Sequence, residues 1–139
     1  KRPGVSPHVR SDPSAAPVGV YSVVVERVID GDTVAIAGWA HNIRIEGVDA
    51  PETRSQNAAC PQEVELGIKA SLSLQKRIEA AVRSGHAVQV ELTPRWSYDR
   101  RVGSLLLDGR SVAALMIEQG IVTVYNQDSP TDWCSASPG

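Results

Sequence analysis

Apolar positions in the middle of the chain follow two periods. Where they alternate, they mark one face of an extended segment: Val34 and Ile36, Ile43 and Ile45, then Val88, Val90 and Leu92. Where they recur every four residues, they line one side of a helix: Val64, Ile68 and Leu72, then Leu74, Ile78 and Val82. The pattern predicts strands over 20–28, 32–37, 41–46, 87–92 and 102–107. It predicts a long helix over 61–84, with Pro61 suited to a first helical position and Gly85 to the residue after the end. A second helix is expected over 112–119, capped by Ser111, and a short extended piece over 121–125. Asp30-Gly31, Gly38-Trp39-Ala40 and Asp108-Gly109 supply turns, Gly31 by accepting a positive φ. The order implies an α+β chain, mainly β with helices. Its expected form is a five-stranded OB-type β-barrel, with the long helix between strands three and four and the second helix after strand five.

The flanks lack such periods. Residues 1–19 carry four prolines and are expected to form a flexible arm, with His8 and Arg10 outside any site. Residues 20–125 form the expected domain. Residues 126–139 form a polar tail anchored by Trp133 and Cys134.

A chain of 139 residues suffices for one core. Its formal net charge of −2 argues against a broad basic surface, so a polyanion must be held by a local cluster. No apolar run reaches the roughly 20 residues of a membrane helix, and no membrane partner is expected. Cys60 and Cys134 are expected to pair in an oxidising compartment, the alternative being two unrelated thiols. The first residue is Lys1 and not Met, which together with the pairing suggests a secreted or periplasmic protein after removal of a leader.

The chemistry gathers in two stretches, Val28-Ile29-Asp30-Gly31-Asp32-Thr33-Val34 and Ile43-Arg44-Ile45-Glu46-Gly47-Val48-Asp49-Ala50-Pro51-Glu52-Thr53. If their strands pair, Asp32 and Asp49 converge at one rim. Clustered carboxylates repel unless a positive group lies between them, and a hard divalent cation suits oxygen ligands. Arg44 offers a fork matched to phosphate oxygens.

Taken together, these stretches resemble the thermonuclease family of staphylococcal nuclease-like domains, over about residues 20–124. The second half adds Tyr98-Asp99-Arg100, Asp108-Gly109 and Glu118-Gln119-Gly120-Ile121. The resemblance implies a calcium-dependent phosphodiesterase acting on DNA and RNA. The expected partner is single-stranded DNA or RNA, and the expected state is a monomer. Water would attack phosphorus and the P–O5′ bond would break, leaving 3′-phosphoryl products. It implies Asp32, Asp49 and the Ala50 carbonyl as Ca2+ ligands, with Asp30 just behind them. It implies Glu52 as the general base and Arg44 and Arg100 as the phosphate-binding arginines.

The usual Tyr-Gly-Arg of the family is Tyr98-Asp99-Arg100 here, which leaves Arg101 as an alternative second arginine or a further substrate contact. Tyr98 and Trp96 are expected to stack on sugar or base, the alternative being loop aromatics of structural use. Ser97 stands where the family often has a phosphate-contacting lysine. The tail after Tyr125 is short and proline-rich against the final helix of the best-known members, and Tyr125 is near their nucleotide-contacting tyrosine. The rival class is a non-catalytic OB domain that binds nucleic acid or a protein partner. The filled acid and arginine positions argue against it.

Overall fold

The computed structural model describes residues 13–126 and 128–135. Among the described residues, nine strands and two α-helices form a mixed α+β unit. The strands are β1 (Gly19–Ser22), β2 (Val25–Asp30), β3 (Thr33–Ile36), β4 (Ile43–Ile45) and β5 (Val48–Asp49), then β6 (Val88–Ser97), β7 (Arg100–Leu107), β8 (Arg110–Ser111) and β9 (Thr123–Val124). The helices are α1 (Pro61–Arg83) and α2 (Val112–Glu118).

The main sheet runs β1-β6-β7-β4-β3-β2, with β8 beside β7, while β5 pairs with β9 in a second, two-stranded sheet. All its pairings are antiparallel except β4 with β7. The expected first strand breaks at Val23 and Val24. Its two halves diverge: Val23 N–H donates to Val88 O at 3.0 Å, whereas Ala37 N–H donates to Val24 O at 2.8 Å. β1 and β2 therefore stand at opposite ends of the strand order, and strand pairing among the described residues closes no barrel. β6 is longer than the alternation predicted, because Thr93–Ser97 continue the hairpin with β7 after a register shift.

The core is the apolar face of this sheet, from Val34 and Ile43 to Val90, Leu92 and Leu105, closed by α1 and α2 through Leu74, Ile78, Val112 and Met116. The face that α1 buries matches the predicted one at Leu74 and Ile78 and departs from it elsewhere. Glu63, Gly67, Ala70, Leu74, Ile78 and Ala81 are buried, while Ile68, Leu72 and Val82 are exposed. Small residues let the helix approach closely, and that geometry outweighs the larger apolar area of the rejected stripe.

Residues 13–19, grouped with the arm for their prolines, belong to the folded unit. Pro13–Ala15 form a 3-10 turn with Ser14 buried, and Ser14 Oγ accepts the N–H of His41 at 3.1 Å. His8 and Arg10 lie outside the described residues. Cys60 and Cys134 form a disulfide with Cα atoms 6.1 Å apart.

Candidate active site

The turn between β2 and β3 carries the first acids. Asp30 Oδ1 accepts the N–H of Asp32 at 3.0 Å, which folds the turn back on itself. Gly31 is needed here for space and not for a positive φ, which it lacks. A Cβ at Gly31 would meet Ala70 Cβ at 2.8 Å and Ala50 Cβ at 2.9 Å. The turn is thus wedged between α1 and the segment after β5. Asp32, only 7% exposed, accepts the Thr33 hydroxyl at 2.9 Å.

Register across β3 and β4 sets Arg44 opposite Thr33. Nη1 of Arg44 donates to Ile45 O at 2.8 Å and lies 3.5 Å from Asp32 Oδ2, while Nη2 donates to Val48 O at 2.7 Å. Its guanidinium is therefore fixed by the turn at Gly47, whose φ of +81° reverses the chain. Arg100 approaches from β7. Its Nη1 donates to Thr33 Oγ1 and its Nη2 to Ser97 Oγ, both at 3.0 Å. Asp49 lies in β5, Ala50 and Pro51 are buried behind it, and Glu52 follows at the start of an irregular loop.

The electrostatics follow from crowding. Burial pushes the Asp30 carboxyl up to about 7, helped by its hydrogen bond to Asp32 and the charge there. Burial likewise raises Asp49. The Asp32 charge adds to that, while the Thr131 N–H and Arg44 oppose it. Glu52 is raised by burial, then by the charges of Asp32 and Glu63, with Arg100 pulling the other way.

Among the described residues, no group of three or more His, Cys, Asp or Glu is arranged to hold a metal ion. Asp32 and Asp49, which feel each other's charge, offer oxygen donors only. This all-oxygen set, in mutually repelling surroundings, fits a hard cation that keeps part of its water, and it does not fit zinc.

Both arginines line one open groove of about 560 Å³, together with Glu46, Trp96, Tyr98 and Tyr125. Tyr98 is 95% exposed with φ +58° at the tip of the β6–β7 hairpin. Trp96 is held edge-on to His41, with ring centroids 5.1 Å apart. The ring of Tyr125 lies 5.9 Å from the Arg44 guanidinium. Arg101 is a different case from the expected substrate contact. It is 4% exposed, and it donates to Thr93 O, Ser14 O and Ala16 O, which ties residues 14–16 to β6. Arg95 forms an ion pair with Glu46 at the groove's rim.

Sequence reasoning missed Thr33 and Glu63 as parts of this constellation. Thr33 follows Asp32 directly. Glu63 is the third residue of a proline-started helix, a position known for capping. That signal marked a helix start and said nothing of the loop Glu63 reaches.

Comparison with known proteins gives the family. The Staphylococcal nuclease homologue family matches residues 42–135, and the chain belongs to it. It is 33% identical over 110 residues to Endonuclease YncB of Bacillus subtilis (strain 168), covering 76% of this chain and 48% of that protein. It is 32% identical over 110 residues to SPbeta prophage-derived endonuclease YokF of the same organism, covering 76% and 34%. Succinoglycan biosynthesis protein ExoI of Rhizobium meliloti (strain 1021) is 29% identical over 110 residues, covering 78% and 55%. The chain thus spans about half, or less, of the length of these relatives.

Proposed function

We propose that this chain is a calcium-dependent nuclease that hydrolyses DNA or RNA to 3′-phosphoryl products. The observation that carries the reading is the linked set Arg100–Thr33–Asp32–Arg44, which holds two guanidinium groups on either side of a buried acid at the edge of one groove. A phosphodiester is anionic, so hydrolysis needs positive charge aimed at its non-bridging oxygens. Arg44 and Arg100 supply fixed forks for those oxygens. Asp32, Asp49 and the Ala50 carbonyl would hold Ca2+, with Asp30 behind them. The bound cation would add positive charge at the phosphate. Glu52 would take a proton from the attacking water. Its raised pKa makes it a stronger base than an ordinary carboxylate. The new P–O bond forms as the P–O5′ bond breaks, and the 5′ oxygen takes a proton from solvent water and leaves as a hydroxyl.

Tyr98, Trp96 and Tyr125 offer faces on which bases of a single strand can stack, whatever the sequence. The sheet is a bent OB-type barrel in this reading, supported by the chain continuity of β1 and β2 at its two ends. The disulfide supports an oxidising, extracellular or periplasmic setting. The endonuclease names of two relatives support the nuclease reading.

The test is cleavage of single-stranded DNA in calcium, with and without EGTA. EGTA should abolish it, and Glu52→Gln should slow it by roughly 10²–10⁴-fold while calcium binding is retained. Nucleic-acid binding without calcium-dependent cleavage would overturn the reading in favour of a binding module.

A further inference from the structure

The first turns of α1 touch the Glu52 backbone twice. Glu63, 8% exposed, accepts the N–H of Glu52 on Oε2 at 3.0 Å and the N–H of Ala59 on Oε1 at 2.9 Å. One carboxylate thus ties both ends of the 52–59 loop. A glutamate at the third helical position commonly serves its own N-cap residue. Here the N-cap residue is Cys60, whose side chain makes no cap bond and is engaged in the disulfide.

One helical turn further on, Gly67 lies against the same stretch. A Cβ there would meet Glu52 O at 2.4 Å and Pro51 O at 2.8 Å. The helix backbone therefore packs directly on the carbonyls of Pro51 and Glu52. Glu52 is held at its N–H by Glu63 and at its C=O by the bare Gly67. The rest of the loop has little regular structure. Its internal backbone bonds run from Asn57 and Ala58 to Arg54 O.

We propose that Glu63 is a positioning residue for Glu52: it fixes the loop from which the Glu52 carboxylate faces the scissile phosphate. This rests on the reading of Glu52 as the base. Catalysis by a positioned base depends steeply on its placement, and an error of about 1 Å can cost roughly 10²-fold. Glu63→Gln preserves the shape but turns an NH2 toward one of the two N–H groups, so one hydrogen bond becomes a repulsion.

The experiment is a double-mutant cycle of Glu63→Gln and Glu52→Gln, with kcat, KM and the calcium midpoint measured on single-stranded DNA below the melting temperature of every variant. Glu63→Gln alone should lower kcat by roughly 10–100-fold, with KM and the calcium midpoint within about twofold of the unaltered protein. In the Glu52→Gln background it should cost almost nothing more, because the group it positions is already disabled. An unchanged kcat, or an equal loss in both backgrounds, overturns the inference and leaves the base assignment standing. If Glu52→Gln itself cleaves at the unaltered rate, both fall. Should Glu63→Gln not fold, amide exchange in the unaltered protein decides. Slow exchange of the Glu52 and Ala59 amides supports the inference, and exchange at free-loop rates overturns it.

Discussion

Arg100 reaches Asp32 through a single hydroxyl: its Nη1 donates to Thr33 Oγ1 at 3.0 Å, and that hydroxyl donates to Asp32 Oδ1 at 2.9 Å. Thr33 orients a cation and an anion at once, and it holds the arginine at the groove without neutralising it in a direct ion pair. Thr33→Val should keep the fold and reduce cleavage by roughly tenfold, the worth of one hydrogen bond to a charged group. A kcat unchanged in Thr33→Val would show that Arg100 is positioned by Ser97 and the backbone alone.

The neighbouring arginines should separate by experiment. Arg100→Ala is expected to lower kcat/KM by roughly 10²–10³-fold, as for loss of a charge-stabilising donor, with stability nearly unchanged. Arg101→Ala should do the reverse, since it strips the carbonyls of Thr93, Ser14 and Ala16 of a buried donor. A loss of stability on the order of 3 kcal/mol is expected. Kinetics beside urea denaturation of both variants checks this.

The elevated pKa of Asp30 carries a pH dependence. Its carboxyl moves from the usual 3.8 to about 7 in the folded chain, so the folded state binds more protons than the unfolded one between those values. Stability should therefore be greatest at the acid end of that window and fall as pH rises from about 4 to about 7. Asp30→Asn should flatten this slope. Thermal melts in EDTA across that range measure it, and a melting temperature that rises toward neutrality would contradict it.

The disulfide spans 74 residues and draws the tail toward the site. There the Thr131 N–H meets the Asp49 carboxylate and the Thr131 hydroxyl meets Thr123 at 2.6 Å. Changing both cysteines to serine should cost up to roughly 4 kcal/mol by the chain-entropy argument. Denaturant midpoints with and without reductant should give the same value in the serine variant and different values in the unaltered protein.

On α1 the exposed stripe should tolerate polarity. Ile68→Gln and Leu72→Gln are expected to change stability by about 0.5 kcal/mol or less, whereas Leu74→Ala, fully buried, should cost about 2–5 kcal/mol. A large loss in the first pair would restore the predicted face.

The sequence by itself determined the elements and the chemical inventory. Alternation and period-four spacing are local properties, so the strands around Val34, Ile43 and Val90 and both helices were legible within a few residues. The acids and Arg44 were legible too, because they lie beside turns whose chemistry is written in adjacent Gly and Pro. Which arginine faces the groove was decided only by tertiary structure. Arg100 and Arg101 are neighbours on one strand, successive side chains point to opposite faces, and only packing tells which face meets the acids. The helix face was decided in the same way. Apolar size points to Ile68 and Leu72 as buried, yet Gly31, Ala50, Gly67 and Ala70 are small where α1 meets the loops that carry the acids. Close approach of backbone to backbone leaves no periodic apolar signal in a single sequence. The same holds for Glu63, whose service to Glu52 depends on a loop that folds back across eleven residues.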